Sequence, residues 1–105
     1  MNSGEERQAI LNALPRGLYA ENLLDIARRA NALARNEQHN VATWALIHFG
    51  FVALAECWND PVDVETANSV QKRVVSACET AILDPTPYAT ENLARELIHA
   101  LSRLS

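Results

Sequence analysis

The residues of this chain best able to do chemistry are its three histidines, His39, His48 and His99, and its two cysteines, Cys57 and Cys78. His48 stands beside a row of large aromatics. It could serve as a general base or a pH-sensitive group, because an imidazole titrates near neutrality. His99 follows Glu96 at the Glu-x-x-His spacing, which lets two side chains on one helix reach one metal. Helical di-iron proteins need two such units and two further carboxylates. Only one unit is present here. His39 lies in a polar stretch and reads as solvated. Cys57 or Cys78 could pair with His48 as a nucleophile, but sequence spacing does not speak for such a pair, whose members meet in space. There is no glycine-rich phosphate loop, no GxSxG elbow and no CxxC, and neither cysteine has a second ligand at zinc spacing. The expectation is no catalytic residue, no metal and no cofactor. The alternative is a small metal-binding or catalytic bundle using His48 or Glu96/His99.

Charge narrows the partners. The formal net charge is -4, which disfavours a phosphate grip, since nucleic-acid binding is driven by Lys and Arg. Arg16, Arg28, Arg29 and Arg35 cluster in sequence and could form a basic patch, although local ion pairs with Asp25 account for much of it. A DNA-binding helix-turn-helix at Pro61 would open with Asp63 and Glu65, which repel phosphate. The acidic, polar opening Met1–Glu6 does not read as an export signal, so both thiols are expected to be reduced core groups of a cytoplasmic chain. The uncharged run Val41–Ala55 is shorter than the twenty or so residues a membrane span needs.

These residues are positioned by helices. Ala and Leu are abundant, and the few Gly and Pro fall mostly at breaks. The chain reads as all-α: a single-domain antiparallel helical bundle over residues 1–105, with four main helices and a short N-terminal helix. Ser3 and Glu6 form a capping-box pattern, and Pro15 stops the first helix. The second runs from about Leu18 to Asn36, with Leu23, Ile26, Ala27, Ala30, Leu33 and Ala34 on its buried face. Asn36–Asn40 is expected to be a turn, with Asn40 capping the third helix; the rival is one unbroken helix from 18 to 58.

The third helix, Val41 to Trp58, is the centre of the expected bundle. Trp44, Phe51 and Trp58 recur every seven residues and form one stripe. A helix so apolar should be covered nearly all round. Gly50 in its middle implies a close helix crossing. Asp60 as N-cap and Pro61 as first residue should open the fourth helix, with Asp63 in its first turn. The stripe Val64, Ala67, Val70, Val74, Ala77, Cys78 and Ala81 follows, packed on the aromatics of the third helix. Thr86 or Thr90 should cap the fifth, whose apolar face is Leu93, Leu97, Ile98, Leu101 and Leu104. Tyr19-Ala20-Glu21-Asn22-Leu23 echoes Tyr88-Ala89-Thr90-Glu91-Asn92-Leu93 with one extra residue, which reads as chance similarity of two helix starts rather than a repeat.

The expected function is a non-enzymatic protein-binding module: an adaptor, regulator or inhibitor acting through a helical surface, with a protein partner or a homodimer. Candidate contact residues are Trp44, His48, Arg28, Arg29, Arg35, Tyr19 and Tyr88, because Trp, Tyr and Arg dominate protein interfaces. A small, acidic, motif-free helical chain would also suit a phage or mobile-element inhibitor of a bacterial defence complex.

Overall fold

The computed structural model describes residues 3–36, 40–58 and 63–104. Five α-helices follow one another in them: α1 (Ser3–Ala13), α2 (Ala20–Asn36), α3 (Val41–Cys57), α4 (Val64–Leu83) and α5 (Pro87–Leu104). They form an antiparallel all-α bundle with four main helices and a short leading one. No helix among the described residues is long and apolar enough to cross a membrane.

The α1–α2 corner is built by backbone-specific residues. After Ala13 the chain tightens into a 3-10 turn, Leu14–Arg16, with Pro15 supplying its fixed φ. Gly17 then takes φ +118, where L side chains are strained. The buried Asn22 amide donates to Ala13 O (2.9 Å) and Gly17 O (2.7 Å), tying the end of one helix to the start of the next. Leu18 is buried but precedes the helix, so α2 begins two residues later than expected. Its backbone N–H donates instead to Gln71 Oε1 of α4, at 3.4 Å.

α2 and α3 pack against each other along their lengths, which two halves of one straight helix cannot do, so the unbroken-helix alternative is excluded. Residues 37–39, including His39, lie outside the described residues. Asn40 does occupy the N-cap position of α3, but its side chain makes no capping hydrogen bond. It contributes through its backbone: it sits at φ 60, a left-handed conformation that Asn tolerates better than most residues, and its carbonyl accepts from Trp44 N at 3.1 Å.

On α3 the expected stripe is inside. Trp44 and Phe51 are fully buried with Ile47 and Leu54, and Trp58 is half-buried at the C-cap. The Trp44 indole N–H has no hydrogen-bond partner among the described residues. Gly50 marks a close crossing: a Cβ there would lie 2.7 Å from Leu97 Cδ1 and 3.0 Å from Cδ2. The expectation of cover nearly all round fails on one face, where Ala42, Phe49 and Glu56 are exposed. That face lies nearly opposite the Trp44–Phe51 stripe, and α4 packs chiefly on α5 and only marginally on α3. The small residues of α4 lie chiefly along α5, in one core with the leucines of α5 and the aromatics of α3.

The starts of α4 and α5 also differ from expectation. Asp60 and Pro61 lie outside the described residues. Asp63 is not in the first turn but is itself the N-cap: its carboxylate accepts from Thr66 N (2.9 Å) and from Thr66 Oγ1 (2.7 Å). Val64 is then the first helical residue and is 75% exposed, so it drops out of the buried stripe. At α5 the cap is Thr86, whose hydroxyl accepts from Ala89 N at 3.0 Å. Thr90 donates to Thr86 O instead. Leu93 and Leu97 are buried, but Ile98 is 67% exposed, off the face expected for it.

Two outcomes follow. Trp44→Ala should destabilise by about 3 kcal/mol, the lower part of the range for large-to-small core changes, because the truncation also removes an unpartnered indole donor. Urea midpoints check this. Gly50→Ala gains about 1 kcal/mol of helix propensity but forces Leu97 aside, and overpacking costs about 1–3 kcal/mol. The net should be a loss of about 1 kcal/mol in the natural chain and a gain on a Leu97→Ala background, measured as a double-mutant cycle.

Candidate functional site

The small residues of α3 and the outer edge of α5 enclose a strongly apolar depression. Its floor is Ala42, Ala45, Gly50 and Ala53 of α3 with Ala94 and Leu97 of α5. Leu46 and Leu101 flank it, and Phe49 and Ile98 stand at its rim, 70% and 67% exposed. The groove is open and holds about 580 Å³. At the N-terminal end of α3 it runs into a more polar hollow that shares Ala42, Leu46 and Ala94 and adds Asn40, Thr43, Thr90 and Glu91. There the Thr43 and Thr90 hydroxyls meet across the two helices at 3.2 Å. The groove exists because α3 carries four residues no larger than Ala on one side and because Leu97 draws α5 close at Gly50.

None of the seven candidate contact residues lines either hollow. Trp44 is 1% exposed and cannot touch a partner while the chain is folded. His48 is partly buried at the α2–α3 seam, where its Nδ1 lies 3.0 Å from Ala27 O. A carbonyl only accepts, so the proton of that bond sits on Nδ1. Its ring also meets Phe49 edge-on, at 4.8 Å between centroids. Arg28 and Arg29 belong to a charge cluster on the outside of α2. Both bind Asp25, and Arg29 reaches Glu6 of α1 at 2.8 Å, fastening the short helix to the bundle. The Arg28 hydrogen bond holds the Asp25 carboxyl below the usual aspartate range; partial burial opposes it and Arg29 adds to it. Arg35 is exposed near the end of α2. Tyr19, ahead of α2, is half exposed. Tyr88, in the first turn of α5, is exposed, with the Arg95 guanidinium 5.9 Å above its ring.

The candidate chemical groups have other partners. Glu96 binds Arg73 of α4 through both oxygens, at 2.7 and 2.9 Å, and His99 Nε2 lies 3.4 Å from the same guanidinium. A cation thus occupies the position between them that a metal would need. Among the described residues no three His, Cys, Asp or Glu side chains come together. Cys78 is wholly buried, and that burial pushes its thiol pKa far up, which makes it a poor nucleophile. Cys57 is half-buried at the end of α3, and both thiols are free.

Sequence reasoning missed Phe49 and Ile98, the two residues that define the groove. A signal was available for the first. Phe49 falls five residues after Trp44 and two before Phe51, and at 100° per residue both spacings place it nearly opposite the buried stripe.

The Asp25 cluster has a consequence in acid. A depressed folded-state pKa contributes stability that is present above the ordinary value of about 3.9 and is lost as pH falls through the lower folded value. The Asp63 cap acts in the same direction, because hydrogen bonds from the Thr66 backbone and side chain lower its pKa too. Urea midpoints should therefore hold level above about pH 5 and fall below about pH 4, and Asp25→Asn should flatten part of that fall.

In comparisons with known proteins, no family model, no curated protein and no solved structure matches the chain.

Proposed function

We propose that this protein is a non-enzymatic protein-binding module, an adaptor, regulator or inhibitor, and that it acts through the α3/α5 groove. The observation that carries this reading is the pairing of a groove floored by small apolar residues with two large apolar side chains, Phe49 and Ile98, left mostly in water at its rim. Scattered exposed apolar residues need no explanation, but a contiguous concave apolar patch marks an interaction site. A groove between two helices suits an apolar helix face, which supplies ridges where the groove lacks bulk.

The chemistry around the groove supports binding over catalysis. Its lining offers no titratable side chain, and His48, next to Phe49 in the chain, is engaged with a backbone carbonyl of α2. The acidic net charge favours protein over nucleic-acid partners. Two thiols not joined to each other suit a reducing compartment such as the cytoplasm.

Affinity capture from the native host with the wild-type chain, Phe49→Glu and Ile98→Glu tests the reading. A partner, or the chain itself, should be retained by the wild type and lost from both variants, while Arg28→Glu retains it. All three substitutions sit at exposed positions, so folding should be preserved, and circular dichroism checks that. Retention by both groove variants would move the interaction elsewhere and sink the proposal.

A further inference from the structure

Phe49 is the middle residue of α3, and the residues sharing its open face are spaced symmetrically about it. Ala45 and Ala53 stand four positions to either side, and Ala42 and Glu56 stand seven. A helix face with this palindromic spacing is complementary to itself when a second copy runs antiparallel, related by a two-fold axis at the central residue. Closed dimers require such a self-matching patch. Resting on the reading of the groove as a protein interface, we propose that its occupant is a second copy of this chain, docked α3 against α3 in antiparallel.

The fit is specific. Side chains on a helix lean toward its N-terminus. In an antiparallel pair, Phe49 of each copy therefore lands beside Ala53 of the other, where the face carries little bulk. Ile98 closes the side of the same pocket from α5. The helix ends match in charge as well. Glu56 is exposed and makes no ion pair or side-chain hydrogen bond among the described residues. The first turn of α3 has no acidic residue, and Asn40 gives it no side-chain cap. Antiparallel docking brings each Glu56 beside Ala42 of the second copy, at the positive end of that helix. A parallel pair would instead bring the two Glu56 carboxylates together.

The size of the face sets the strength. α3 is about 25 Å long and about 10 Å wide, and the Ile98 strip of α5 roughly doubles its area, to about 500 Å² per copy. The total of about 1,000 Å² is at the lower bound for a specific interface, so the dimer is reversible.

Sedimentation equilibrium from about 1 to about 500 μM, on the wild type, Phe49→Glu and Glu56→Lys, tests the association. Oxidative cross-linking of Phe49→Cys and Ala42→Cys, each with Cys57→Ser, tests its geometry. The wild type should show a monomer–dimer equilibrium. Phe49→Glu should weaken it by about 30-fold or more and Glu56→Lys by about 5-fold. Phe49→Cys should cross-link at the axis, and Ala42→Cys should not, since two such residues lie about 21 Å apart along antiparallel helices. A wild type that stays monomeric, a dimer untouched by Phe49→Glu, or cross-linking of Ala42→Cys as readily as Phe49→Cys would overturn the proposal. A monomeric wild type that still captures a host protein released by Phe49→Glu overturns only the second copy and leaves the groove as an interface. A monomer that captures nothing overturns both.

Discussion

The architecture depends on the approach of Leu97 to the bare backbone of Gly50. α4 barely touches α3, so the α4–α5 pair joins the rest of the molecule mainly through α5. Where α5 meets α3, a side chain at position 50 would have to displace the Leu97 side chain. Polar ties add to this contact: the Thr43 and Thr90 hydroxyls join α3 to α5, and Arg7 to Ile82 O at 3.1 Å and Leu18 N to Gln71 Oε1 fix the α4–α5 pair against α1 and the α1–α2 corner. The groove is a geometric consequence. Two helices brought close at a glycine, with alanines to either side of it, leave a valley that no other described residue fills.

Helix positions and inward faces were largely legible in the amino-acid order. The Trp44–Phe51–Trp58 stripe, the break between Asn36 and Asn40 and the crossing at Gly50 all follow from periodicity, polarity and the cost of a mid-helix glycine. What periodicity cannot show is which neighbour covers a face. The small residues of α4 require a bulky partner, and both the aromatics of α3 and the leucines of α5 could meet that need; tertiary packing set them chiefly along α5. Glu56, seven residues after Phe49 and the one formal charge between Val41 and Trp58, marks the side that faces out. The seven-residue spacing of Trp44, Phe51 and Trp58 draws attention instead to the stripe, with Trp44 as a candidate contact, and away from Phe49. Ile98 was misplaced because it lies one position past Leu97, about 100° further round the helix, and Leu93 and Leu97 set the face that α5 turns inward. Asn22 left no trace in the sequence pattern because its partners are backbone carbonyls in a corner built by other residues.

The polar interactions between helices work as registers more than as sources of stability. Arg29 bridging Glu6 and Asp25 fixes where α1 lies on α2, and Arg73 held by both oxygens of Glu96 fixes the rotation of α5 against α4. Such partly exposed pairs each contribute little free energy. Their geometry nevertheless matters, because the rotation of α5 decides which of its residues face the groove. The Glu96–His99 spacing, suggestive of a metal ligand pair in isolation, is part of this clasp.

The two cysteines sit in contrasting surroundings, one half-open at the end of α3 and one sealed within α4. An alkylating reagent would meet them as two separate clocks. The first runs in the folded molecule and reports on the end of the central helix. The second cannot start until α4 lifts away from α5, so its rate counts how often the bundle comes apart.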